Sequence, residues 1–172
     1  MVKKLNTEQI NLINTYKAIE TTDKGRLLPM DENIPMAGFA LTDSEELTNE
    51  TLFFRMLSQA IENDCDLGFL DMNITDDEIR ILSESISNAE LILFAIFLKP
   101  SDFEDVQSEI QRIKSILKKL SKDKKTMIIF FSKAPEYNSF SADTIIRTTD
   151  STEASLAAAI FVLCGRKPEF YN

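Results

Sequence analysis

The sequence predicts an α/β protein: a three-layer αβα sandwich with a mostly parallel, five-stranded, doubly wound sheet. Short apolar runs recur at Ile34 to Leu41, Leu67 to Leu70, Leu91 to Leu98, Met127 to Phe131 and Thr144 to Arg147. Most are continuously apolar, as strands covered on both faces are. The segments between them have helical period and enough length for crossover connections, which parallel neighbours require.

In chain order, Thr7 to about Glu20 forms a helix with Ile10, Leu12, Ile13, Tyr16 and Ile19, and Asp23-Lys24-Gly25 breaks it. Arg26-Leu27-Leu28-Pro29 leads into the first strand, so residues 1–33 read as an N-terminal arm on a domain of residues 34–172. The first crossover is Thr48 to Ile61, with Leu52, Phe53, Met56, Leu57, Ala60 and Ile61 inward. Thr75 and Glu78 form a capping box ahead of Ile79, Leu82 and Ile86. Ser101 and Glu104 repeat that pattern and open the longest helix, whose stripe is Phe103, Val106, Ile110, Ile113, Leu117 and Leu120. That stripe has a strand surface to cover, which makes a coiled coil unnecessary. A third start, Asp150 with Glu153, precedes Leu156, Ala159, Ile160 and Leu163, and Gly165 supplies the left-handed residue that follows many helices.

Composition excludes several function classes. The 172 residues, 44% hydrophobic and 27% charged, suit one core. Asp and Glu number 28 against 19 Lys and Arg, a formal charge of -9 that repels nucleic acid. The lysines at 114, 118, 119, 122, 124 and 125 form a local basic cluster, of the kind favoured at a helix C-terminus and a solvated turn. There is no His, which removes imidazole bases, Ser/His and Cys/His pairs and nearly all zinc sites. Cys65 and Cys164 read as inert buried thiols. No apolar stretch of signal-peptide type follows Met1-Val2-Lys3-Lys4, so a cytoplasmic location is the default expectation. No run approaches the roughly 20 apolar residues of a membrane-spanning helix, and no membrane partner is expected.

Ligands of open parallel sheets sit beyond the carboxyl ends of the strands, and those segments are acidic here. Asp43 and Asp71 end adjacent strands and form the candidate acidic cluster; two such oxygen ligands can hold a hydrated divalent ion, and solvated loops are the alternative. Most other strand-end carboxylates fall in first turns of helices, where capping explains them. Four glycines, with no G-x-G-x-x-G or Walker pattern, leave no phosphate cradle, and no cofactor or metal site is expected. Lys133, Glu136, Tyr137 and Asn138, in the loop after the fourth strand, are the candidate polar surface for a ligand.

Taken in order, the segments resemble the C-terminal α/β sandwich domain of family 3 glycoside hydrolases, the group of β-glucosidases and β-N-acetylglucosaminidases. Arg26-Leu27-Leu28-Pro29-Met30 followed by Ile34-Pro35-Met36-Ala37-Gly38 is similar to the family's "LLPL" lead-in and first strand. Ala89-Glu90-Leu91-Ile92-Leu93-Phe94-Ala95 is similar to its "AD-x-V-I-x-A" strand, and Lys125 to Pro135 resembles a later strand running into a Pro or Tyr loop. Ala142 to Ile146 and Glu153 to Gly165 resemble the last strand and the helix ending near "L-F-G". The likeness spans about residues 16 to 165; the family's following "G-x-L-P" has no counterpart in Arg166 to Asn172.

The doubly wound layout is flavodoxin-like, and the resemblance implies an accessory role. In the family the catalytic Asp, and in one branch an Asp-His pair, belong to a barrel of about 250 residues, which this chain does not contain. It implies no catalytic residue here, a catalytic barrel as partner and a carbohydrate as possible ligand. Two other readings stand beside it: an independent small-ligand or protein-binding module, and a carboxylate-based hydrolase using Asp43 with Glu45, Asp71 or Glu136.

Overall fold

The computed structural model describes residues 5–61 and 65–169. Met1 to Lys4 of the arm and Phe170 to Asn172 lie outside the described residues. The elements are α1 (Thr7–Ala18), β1 (Glu20–Asp23), β2 (Met36–Leu41), α2 (Thr48–Ala60), β3 (Asp66–Leu70), α3 (Asp76–Ser85), β4 (Leu91–Ile96), α4 (Val106–Leu120), β5 (Lys125–Phe130), β6 (Thr144–Arg147) and α5 (Glu153–Leu163).

One sheet runs in the order β1-β6-β5-β4-β2-β3. Strands β2 to β6 pair in parallel as the alternation of runs and crossovers predicts. The doubly wound α/β sandwich is therefore present, with one more strand than the sequence predicts. The sixth is β1, which pairs antiparallel with β6, Thr21 opposite Ile146 and Thr22 opposite Ile145. Its four residues are too few and too polar for an apolar pattern, so their pairing is set by β6, with two β-branched threonines suiting an extended chain.

Alternation divides the central strands between two cores. Ile92, Phe94, Ile96 and Leu98 join Phe39, Leu41, Ile128 and Phe130 beneath α3 and α4. Leu91, Leu93, Ala95 and Phe97 join Met127, Ile129 and Phe131 beneath α2 and α5. This two-sided burial is why the runs are continuously apolar. Helix α1 packs on α5.

Two helix starts depart from the sequence reading. The Ser101/Glu104 box does not form: buried Pro100 heads a 3₁₀ turn over Pro100–Asp102, and Ser101 donates to Asp102 instead. Helix α4 starts after Asp105, whose carboxylate accepts the Ser108 N–H at 3.1 Å. At α5 the cap position belongs to Thr152, and Asp150 acts from two residues earlier: one of its oxygens accepts from the Thr152 N–H, the Thr152 hydroxyl and the Ser155 hydroxyl. The Thr75/Glu78 box at α3 is present as predicted.

Gly165 has φ 63°, with its N–H on Val162 and the Arg166 N–H on Phe161. A Cβ there would lie 2.8 Å from Pro29 Cβ. Gly165→Ala combines left-handed strain with that clash and is expected to cost about 1–2 kcal/mol or slightly more, read as a lower urea midpoint at unchanged slope. Cys65 and Cys164 are half-buried, more open than the sequence reading has them. Burial pushes the Cys164 thiol up, which keeps it protonated and unreactive. No helix among the described residues is long and apolar enough to cross a membrane.

Candidate functional site

The crossover from β2 turns towards α2 and β3, whereas that from β4 turns towards α4 and β5, so the chain diverges between two neighbouring strands. Beyond their carboxyl ends lies a cleft of about 250 Å³, where this topology places ligands. It is lined by the loop after β2 (Thr42, Asp43, Ser44, Glu46), the first turn of α2 (Thr48, Asn49, Glu50), and Phe97, Lys99, Asp102 and Ser151.

Glu50 and Thr42 form its floor. Both are buried, at 4% and 6% exposure, and the Thr42 hydroxyl donates to Glu50 Oε1 at 2.5 Å. The Ser44 N–H donates to the same hydroxyl at 3.0 Å, fixing the turn that carries Asp43. At the wall, Asn49 Nδ2 reaches Ser151 Oγ at 3.4 Å. Four carboxylates face Lys99, so the cleft repels anions and offers acceptors to hydroxyl or ammonium groups.

The acidic pair is separated by this geometry. Leu41 and Leu70 are register partners, so Asp43 and Asp71 do end adjacent strands. Asp43 lines the cleft, but Asp71 folds back to accept the Asn73 N–H at 2.5 Å and lines a different groove beside α3. Among the described residues no group of three or more acidic, Cys or His side chains is placed to hold a metal ion.

The loop candidates are likewise dispersed. Tyr137 is a correction: it has no exposed surface, its ring stacks on Phe130 with centroids 4.3 Å apart, and its hydroxyl donates to the Leu98 carbonyl at 2.6 Å. Burial, reinforced by the carboxylates of Glu136, Asp43 and Asp102, pushes its phenol far up, so it remains a donor. Lys133 turns away to pair with Glu20 at 2.8 Å. Glu136 lines a cleft of about 520 Å³ with Lys99, Phe103, Ser132 and Asp150, while Asn138 is simply exposed. Because Lys99 lines both clefts, they adjoin along the carboxyl edge of the sheet. The hydrolase candidates thus sit apart, Asp43 in one cleft and Asp71 and Glu136 in two others, while Glu45 is exposed in the loop after β2.

Members of the lysine cluster have structural work. Lys119 pairs with Asp76 at 2.7 Å, Lys124 donates to the Ser87 and Ala89 carbonyls, and Lys114 lies over the Phe140 ring.

Glu50 is the site residue the sequence reading passes over, and a signal for it exists. It stands three, four and seven residues before Phe53, Phe54 and Leu57, so a charge occupies the buried face of the helix.

No protein-family model matches the chain, and no curated protein matches it by sequence. Solved structures do. The chain superposes on a family 3 glycoside hydrolase, the β-N-acetylglucosaminidase from Paenibacillus sp. str. FPU-7, with TM-score 0.65 and 14% identity, over 96% of this chain and 33% of that one. The fold is one found within a family 3 glycoside hydrolase. It also matches the β-glucoside phosphorylase BglX, with TM-score 0.61, 18% identity and 91% of this chain against 29% of that one. CbsA from Thermotoga neapolitana gives TM-score 0.55 and 15% identity, over 91% and 30%. The chain spans about a third of the length of these structures. At such identities the shared property is the fold, and at that level the resemblance drawn from residues 16 to 165 holds.

Proposed function

We propose that this chain is a non-catalytic accessory domain of the family 3 type, which packs against a catalytic barrel and lends the loop after β2 to carbohydrate binding. One observation carries the reading: the fold accounts for 90% or more of this chain but a third or less of each enzyme it matches. What remains of those chains leaves room for a barrel of about 250 residues. The site agrees in kind, since Asp43, Glu50, Asn49 and Lys99 offer the mixed acceptors and donors that sugar hydroxyls need. Residues 1–33 act as an arm on the domain of residues 34–172, and add β1 to the edge of its sheet.

The chain alone is expected to leave aryl β-glucosides and aryl β-N-acetylglucosaminides intact over days, and to bind a family 3 barrel lacking its own sandwich domain in gel filtration. Titration with N-acetylglucosamine is expected to shift the amide signals of Ser44 and Asn49. Turnover that disappears in Asp43→Asn would replace this reading by the hydrolase. Sugar binding without barrel binding would favour an independent ligand-binding module, for which the cleft at the chain's point of divergence is the supporting feature.

A further inference from the structure

The two edges of the sheet are protected unequally. β1 is four residues long, polar, and bracketed by Glu20 and Asp23. β3, reading Asp66-Leu67-Gly68-Phe69-Leu70, has no Lys, no Pro and no bulge, its pairing with β2 running unbroken from Asp66 to Leu70. Those devices ordinarily stop an edge from pairing with another chain. The Thr42 N–H donates to the Leu70 carbonyl, and main-chain groups alternate sides along a strand. The N–H and C=O groups of Leu67 and Phe69 therefore face outward, and among the described residues no strand lies beyond them.

Apolar surface flanks this open edge above and below. On the α2 side Phe69 is 44% exposed and leans on Phe54, ring centroids 5.5 Å apart. On the α3 side a groove of about 560 Å³ is floored by Leu70, Ile74 and Leu82 and walled by Ile81, which is 58% exposed. A strand laid beside β3 would send alternate side chains over Phe69 and into the groove. The rim is acidic: Asp71 and Glu78 line the groove and Asp66 begins the strand, while Arg80 is already held by Glu84 and Asp77.

We propose that β3 is a docking edge that takes an extended, apolar-centred protein segment flanked by Lys or Arg, by strand addition. A second copy of this chain is the poorer occupant, because antiparallel pairing of β3 with itself would bring Asp66 of each copy beside the acidic end of the other, with its Asp71 and Glu78. The proposal goes beyond the accessory role, since strand addition requires only a main chain and holds whether or not the partner is a barrel.

The test uses the whole chain, isotope-labelled, with a short capped peptide alternating Val and Thr between pairs of lysines, and a twin in which glutamates replace the lysines. The basic peptide at millimolar concentration is expected to slow amide exchange at Leu67 and Phe69 by about tenfold or more, leaving Thr21 and Thr22 unchanged. The acidic twin is expected to do nothing, and Phe69→Lys to abolish the protection. Should that variant fail to fold, Ile81→Lys on the exposed face of α3 is expected to weaken it. No protection, equal protection by both peptides, or protection that appears without peptide as protein concentration rises would each overturn the proposal, the last by giving the edge to a second copy.

Discussion

Replacing Tyr137 by Ala is expected to destabilise the protein by about 4 kcal/mol, lowering the melting temperature by roughly 10 °C. The side chain is wholly enclosed, stacked on Phe130 and edge-on to Phe140 at 5.8 Å, so truncation opens a cavity that three elements cannot easily close. It also strands the Leu98 carbonyl, whose partner is the Tyr137 hydroxyl. Tyr137→Phe keeps the stack and removes that bond alone, and is expected to cost about 1–2 kcal/mol. Urea unfolding of the two variants separates packing from hydrogen bonding. Equal losses would show that the ring contributes little and that the loop's position rests on other contacts.

Asp23→Ala is expected to cost about 2–3 kcal/mol at neutral pH, and the difference should shrink as pH falls below the unfolded carboxylate value of about 3.9 and on through the lower folded one. Its carboxylate accepts from the Leu27 N–H at 2.8 Å, the Leu28 N–H at 3.2 Å and the Thr144 hydroxyl, so one side chain ties the lead-in to the last strand. Burial by itself would raise its pKa, but the bonds from Thr144 and from the Leu27, Leu28 and Arg26 amides outweigh it and hold the carboxyl below the ordinary range. The unfolded chain then takes up its proton first as pH falls. The stability is complete above the unfolded value of about 3.9 and drains away as pH drops through the folded one. Asp150 behaves alike, burial being overcome by the Ser155 and Thr152 hydroxyls, the Thr152 amide and the Thr149 hydroxyl. Glu20 beside Lys133, Asp31 under Asn33, Asp76 beside Lys119 and Glu78 under Thr75 shift the same way. With no His in the chain, stability should be flat between about pH 5 and 8 and fall in acid. A midpoint that climbs as pH is lowered from neutrality would contradict this.

The central parallel strands are legible because they are buried on both faces: Leu91 to Leu98 carries no polar residue to interrupt it, and β5 and β2 nearly match it. β1 was not, since Glu20-Thr21-Thr22-Asp23 has no apolar signature and is extended only because β6 lies beside it. The start of α4 is not legible because a Pro-headed turn takes up the residues of the Ser101 box and Asp105 caps the helix after it. The site was half visible. Strand ends located the cleft, but nothing local told Asp43, which faces it, from Asp71, which caps its own turn. Tyr137 sits between Glu136 and Asn138 and reads as surface. Its burial depends on Phe130 and Phe140 meeting it in space, a distance that sequence neighbours do not report.

The pairing of β1 with β6 joins stretches of chain that are far apart, Asp23 and Thr144 being 121 residues from one another. On the ribosome, at about 5–20 residues per second, the earliest of these stretches emerges and must wait many seconds for its counterpart. The middle of the protein can assemble meanwhile from near neighbours, whereas this seam is a clasp fastened after translation has passed it. Until then β1 and the edge of β5 lack the strand that joins them, and a nascent polypeptide stalled before that moment would present both to whatever strand is at hand.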